Sequence, residues 1–190
     1  MGSPKALLST RRFDPDGVDE PWARRVARRL LEGGASDVVV SVPDDEDVAA
    51  DVAAAVADLA RVTPNPWPEL GLSGSLFAAL DLVDADAVVL CPVDAPGLQA
   101  SHVRGLLDAL TAGADAAVVV HAGRRGHPVA FSSRCVPALR AAGASGGPRV
   151  VLASVDVVEF AVDDAAVLWD LNSPADLAVE RLQVSARPPR

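Results

Sequence analysis

Three short β-branched runs, separated by amphipathic helical sequence, constrain this chain more than any other feature. Residues 37–42 read Asp-Val-Val-Val-Ser-Val, residues 87–91 Ala-Val-Val-Leu-Cys and residues 116–120 Ala-Ala-Val-Val-Val. Runs this short, apolar on both faces and bounded by polar residues or proline, read as strands covered from both sides. Such strands belong to mostly parallel sheets whose connections cross over as helices. Helical patterns lie where those crossovers are needed. In 19–32, Trp22, Val26 and Leu30 recur every four residues, and Arg24, Arg25, Arg28 and Arg29 fill a solvated basic face. In 46–60 the repeat is Val48, Val52, Val56 and Leu59. Segments 73–83 and 101–112 open on Ser73 and Ser101, each a candidate N-cap. The pattern predicts an α/β fold with a doubly wound, mostly parallel, Rossmann-like sheet. A single domain over 1–184 and a frayed tail over 185–190 account for the 190 residues.

Composition narrows the function. Seventeen basic and 26 acidic side chains leave a formal charge of −9, which argues against a nucleic-acid binder. No apolar run reaches the roughly 18 residues of a membrane span, and the N-terminus lacks a signal-peptide core. Cys91 and Cys135 lie far apart and form no zinc pattern, so they read as two reduced thiols in a cytoplasmic protein. Of the seventeen basic residues only Lys5 is lysine. In a chain this biased toward arginine, a retained lysine suggests a site that needs a compact ammonium rather than a planar fork.

In doubly wound sheets, ligands bind beyond the carboxyl ends of the strands, which selects the loops to read for chemistry. Asp94, in Cys91-Pro92-Val93-Asp94-Ala95-Pro96, is placed to hold a divalent metal or a ribose hydroxyl, or else to cap its own turn. Asn65 through Leu76 carries Asn65, Gly71, Ser73 and Ser75 into a helix start. There backbone N–H groups and hydroxyls suit an anion or a polar base edge, or simply cap a helix. Gly123 through Pro128 reads as a tight turn bringing Arg124, Arg125 and His127 together, either around an anionic group or as a solvated hairpin tip. His127 has no partner at metal spacing. Arg149 follows a flexible glycine loop. Asp170 and Asn172, two apart, would share a face of an extended segment and could join Asp94 around a hard cation, or could cap the helix that Ser173-Pro174 begins. The cation reading places an oxygen of Asp94 within about 6 Å of Asp170 or Asn172.

Taken in order, these segments resemble the molybdopterin nucleotidyltransferases, and the cytidylyltransferase branch most closely, along nearly the whole chain. Met1 through Leu8 is similar to the end of that family's opening motif. Asn65 through Leu80 resembles its asparagine, glycine and serine segment, and Val93-Asp94-Ala95-Pro96 its Asp-x-Pro metal loop. Gly126-His127-Pro128-Val129 resembles its Gly-His-Pro turn, Gly146-Gly147-Pro148-Arg149 its Gly-x-x-Arg loop, and Asp170 through Leu177 its closing motif. The resemblance implies transfer of a nucleoside monophosphate from an NTP, CTP before GTP, to molybdopterin, with release of pyrophosphate. It implies Mg²⁺ held by Asp94 with Asp170 or Asn172, and Lys5 neutralising phosphate charge. Asn65, Gly71, Ser73 and Ser75 would line the nucleotide side, and Arg124, Arg125, His127 and Arg149 the acceptor side. A molybdoenzyme that receives the cofactor is a further implied partner.

The sequence departs from the family at its start. The family's first strand and its glycine-rich nucleotide loop have no counterpart ahead of Met1-Gly2, which points to a misassigned start codon or to an inactive relative. That strand would lie between 37–42 and 87–91, so these two strands are expected to flank an open slot or one filled from elsewhere. A related transferase acting on phospholactate or a sugar phosphate, and a non-catalytic cofactor chaperone, are the rival readings. No Gly-x-Gly-x-x-Gly follows a strand, which excludes a dinucleotide-binding domain.

Overall fold

The structure, a computed structural model, describes residues 4–9, 18–95, 97–142 and 146–169. Helix α1 (Trp22–Glu32) leads into β1 (Val39–Pro43), α2 (Glu46–Val56), β2 (Arg61–Asn65) and α3 (Leu72–Leu80). Then come β3 (Ala87–Leu90), α4 (Ala100–Thr111), β4 (Ala116–His121), β5 (Arg124–Ser132), α5 (Val136–Ala142), α6 (Pro148–Leu152) and β6 (Val157–Ala161). Short 3-10 turns cover Lys5–Leu7, Pro68–Leu70, Ser133–Cys135 and Ala165–Leu168. No helix among the described residues is long and apolar enough to cross a membrane.

The α/β fold is the expected one. Trp22, Val26 and Leu30 are buried, and so are Val52 and Val56. Helix α2 starts where Asp45 accepts the Val48 N–H at 3.0 Å. Its end differs from the expected 46–60. The chain leaves the helix at Val56 and enters β2, parallel to β1 with Val39 opposite Arg61. Arg61, Thr63 and Pro64 break the apolar signature, and proline is tolerated there because, among the described residues, β2 pairs on one edge only. The basic face of α1 also differs from expectation. Arg25 is 1% exposed and donates to the Leu98 carbonyl at 3.1 Å. Arg24, Arg28 and Arg29 form ion pairs with Asp58, Glu20 and Glu32. Ser101 caps nothing, since α4 begins at Ala100 and Gln99 holds the cap position.

The strands form two sheets, β1-β2 and β3-β5-β4-β6. Within the larger sheet β5 alone runs antiparallel, paired to β3 on one edge and to β4 on the other. Ala122 and Gly123, both at positive φ (49° and 76°), make the β4–β5 turn. Val118, Val119, Ala130 and Phe131 are 0–1% exposed at its centre. One face of this sheet carries Val118, Val129 and Phe131 against α3, α5 and α6. The other carries Ala117, Val119 and Ala130 against α4 and the turn Ala165–Leu168.

Strands β1 and β3 belong to different sheets, and among the described residues no ladder joins them. Among the described residues, each of these strands has a ladder on one edge only. Val38 and Val40 beside one sheet, and Val89 and Cys91 beside the other, pack on the same apolar cluster formed with α1 and α4. The helical layer, not hydrogen bonding, joins the sheets there. A two-stranded sheet is marginal by itself. Hydrogen exchange should therefore show β1 and β2 opening at least about tenfold more readily than β4 and β5, whose central position ties them to global unfolding. Equal protection of the two sheets would contradict this division.

Candidate functional site

Asp94 lies in the turn that follows β3, closed by the Ala95 N–H donating to the Pro92 carbonyl at 3.2 Å. Its carboxylate caps no turn. Instead Oδ2 accepts from the Lys5 ammonium at 2.7 Å, across 89 residues of sequence. Lys5 is delivered by the 3-10 turn Lys5–Leu7, whose Ala6 and Leu7 pack on Val42, Val52 and Val56, with Val93 at the margin of the cluster. The side chains are 37% (Lys5) and 15% (Asp94) exposed. An ion pair this accessible contributes about 0–1 kcal/mol, so stability alone accounts poorly for the pairing. Just before the turn, burial pushes the Cys91 thiol up to about 12, which keeps it a neutral packing group.

A second group of expected residues meets at the start of α3. Asn65, 6% exposed, ends β2; its Oδ1 accepts the Trp67 N–H at 2.9 Å and its Nδ2 donates to the Ser75 hydroxyl at 3.3 Å. Gly71, at φ 54°, occupies the cap position, a conformation that penalises any residue with a Cβ. Ser73 is therefore inside the first turn rather than capping it, and its hydroxyl points out of the helix. A Cβ on Gly147 would stand 2.6 Å from that hydroxyl, so the loop before Arg149 closes directly onto α3. Arg149 itself is exposed in the first turn of α6.

The third group lies along β5. Leu90, the last residue of β3, is opposite Val129, which brings His127 and Pro128 alongside the start of the Asp94 loop. The His127–Pro128 bond is cis. Arg124 and Arg125 belong to the strand rather than to the hairpin tip, and they point to opposite faces. Arg125 is held by Glu159 of β6 at 2.9 Å, so it does not converge with the others, and Arg124 remains exposed. Asp170 and Asn172 lie outside the described residues. The approach to them is nonetheless visible in the turn Ala165–Leu168. A Cβ on Gly97 would come within 2.3 Å of the Ala166 carbonyl, and one on Gly126 within 2.2 Å of the Val167 carbonyl. This turn is therefore held between the Asp94 loop and the residue preceding His127. Sequence reading did not mark Gly97 and gave Gly126 only as part of the Gly-His-Pro turn; the chain crossing them shows why they lack a Cβ.

A divalent cation fits Asp94 in one particular way. Among the described residues no three His, Cys, Asp or Glu side chains cluster as a metal cage. Asp94 offers a hard carboxylate oxygen already engaged with a positive charge. Mg²⁺ is commonly bound in this manner, through one or two carboxylates and the phosphates of its substrate.

Comparison with known proteins places the chain in a family and a fold. A family model described as the MobA-like NTP transferase domain matches residues 1–160. No curated protein sequence matches the chain. Among solved structures, Rv0371c from Mycobacterium tuberculosis H37Rv is similar over 96% of this chain and 90% of its own, at 24% identity and a TM-score of 0.77. A 2-C-methyl-D-erythritol 4-phosphate cytidylyltransferase from Thermus thermophilus is similar over 97% and 95%, at 17% identity and a TM-score of 0.67. The molybdopterin-guanine dinucleotide biosynthesis protein A from Archaeoglobus fulgidus is similar over 98% and 93%, at 18% identity and a TM-score of 0.60. At these identities the likeness to solved structures is one of fold.

The close passage of the chain over Gly126 is directly testable. Gly126→Ala should destabilise the protein by about 1–3 kcal/mol in urea unfolding, the usual range for forced overpacking. A variant as stable as the parent would show that Val167 does not press on this position.

Proposed function

The chain belongs to the MobA-like NTP transferase family, and we propose that this nucleotidyltransferase moves CMP from CTP to molybdopterin, releasing pyrophosphate. The observation that carries this reading is the Lys5 ammonium seated on Asp94 at 2.7 Å, beyond the carboxyl end of β3. A triphosphate entering there meets a point charge on a flexible stem, which can exchange its carboxylate partner for phosphate oxygens. Asp94, once released from Lys5, would hold Mg²⁺, with Asp170 or Asn172 as a second oxygen ligand. When bound, the ion supplies charge neutralisation and alignment of the phosphates.

The remaining roles fall to this chain's own residues. The start of α3, with Ser73, Ser75 and free backbone N–H groups, receives the base and ribose. Asn65 acts through them, since its side chain braces Trp67 and Ser75. His127, Arg124 and Arg149 dock the anionic acceptor, whereas Arg125 is committed to Glu159. A phosphate oxygen of the acceptor attacks the α-phosphorus. The new phosphorus–oxygen bond forms as the bond to the bridging oxygen of the pyrophosphate breaks, and Lys5 neutralises charge on that leaving group.

Pyrophosphate release with Mg²⁺ and molybdopterin tests the assignment. CTP should support release better than GTP; equal or better use of GTP overturns the cytidylyl assignment. Asp94→Ala should lower turnover by at least about a hundredfold, the scale of losing a main electrostatic group. An active Asp94→Ala enzyme removes Asp94 from the machinery. Lys5→Met should also slow turnover, while changing unfolding stability by no more than about 1 kcal/mol. If Lys5→Met loses stability and keeps its rate, the pair is structural.

A further inference from the structure

Trp67 is left unexplained by the roles assigned so far. It is 39% exposed in a chain with only 4% aromatic residues, although a ring of this size ordinarily earns its place by burial. Its backbone, by contrast, is gripped on every side. Pro66 and Pro68 flank it, each with a fixed φ and no N–H. The Trp67 N–H donates to the buried Asn65 side chain at 2.9 Å, and its carbonyl accepts the Leu70 N–H at 3.0 Å. That carbonyl also stands where a Cβ on Gly74 would approach to 2.4 Å, which locks it against the first turns of α3. Asn65 is in turn tied to Ser75 on the same helix. A braced main chain therefore presents a partly exposed indole beside the start of α3. Leu72, 61% exposed at the first position of that helix, adds apolar surface next to it.

A side chain whose backbone is held this way has met part of its ordering cost, that of the main chain, before any ligand arrives, which favours recognition. A flat π-face suits a flat π-system, and a nucleobase offers one whatever its hydrogen-bonding edge. We propose that Trp67 is the stacking platform for the heteroaromatic base of the bound nucleotide. The proposal rests on the nucleotidyltransferase reading, in which the start of α3 receives base and ribose. It adds a base-recognition residue that separates nucleotides from base-free polyphosphates, while hydrogen bonds at the helix start choose among bases.

The test is titration of the full chain with Mg²⁺–CTP and, as a base-free control, with Mg²⁺–tripolyphosphate, by tryptophan emission and by calorimetry. In a Trp169→Phe background, CTP should quench the emission, and the quenching should vanish when Trp67→Phe is added, because Trp22 is buried. Trp67→Phe should keep CTP affinity within about threefold, whereas Trp67→Ala should weaken CTP about tenfold or more. Tripolyphosphate should bind all three forms alike, and melting temperatures should agree. Quenching that persists when Trp67→Phe is added to that background, or CTP affinity unchanged in Trp67→Ala, overturns the platform and leaves the nucleotidyltransferase reading standing. Equal losses of CTP and tripolyphosphate in Trp67→Ala overturn it in favour of a purely structural role. A native chain that binds neither ligand overturns the nucleotidyltransferase reading and the platform with it.

Discussion

Strand β5 is hydrogen-bonded on both edges, to β3 and to β4, and the larger sheet depends on it. It alone runs against its neighbours. That reversal sends residues 124–128 back along the carboxyl ends of β3 and β4, where a sheet of this kind binds its ligands. His127 thereby reaches the Asp94 loop, and Gly126 provides the gap through which Val167 passes. The same strand carries Ala130 and Phe131, both fully buried, so the geometry at the mouth is built on the best-packed part of the core. Precision at a site of this kind comes from rigid elements rather than from the loops themselves.

Charge at that mouth is arranged economically. The chain is acidic overall, yet the ammonium of its single lysine sits on the carboxylate expected to hold a cation. Arg24, Arg28 and Arg29 of α1 are committed to Asp58, Glu20 and Glu32, and Arg125 is committed to Glu159. Of the basic side chains expected at the acceptor, Arg125 is thus already partnered, which sharpens the importance of Arg124, His127 and Arg149. A partnered lysine near the surface changes partners at little cost, because the pair itself is weakly stabilising.

Sequence patterns conveyed the strands that are apolar on both faces, β1, β3 and β4, and the helices that carry a clear stripe, α1, α2 and α4. They missed β2 and β6 because edge positions admit Arg61, Pro64 and Glu159, which erase the apolar signature. They placed Arg124 and Arg125 at a hairpin tip because Gly123 and Gly126 bracket them; in the structure Gly123 makes the turn, while Gly126 sits within a strand that another segment crosses. The position of Asp94 just after a buried strand was legible. Its contact with Lys5 was not, since nothing local links residues 89 apart. The burial of Arg25 was equally hidden, because helical periodicity placed it on the polar face and only the Leu98 carbonyl draws it inward.

The central claim is that Asp94 is the cation anchor and Lys5 its exchangeable partner. A crystal of the chain with Mn²⁺ and a non-hydrolysable CTP analogue tests it most directly through the anomalous signal of the metal. The account predicts a manganese peak about 2.1 Å from an Asp94 carboxylate oxygen, with the Lys5 ammonium moved onto phosphate. A bound analogue whose metal lies away from Asp94, with the Lys5–Asp94 pair intact, would contradict it.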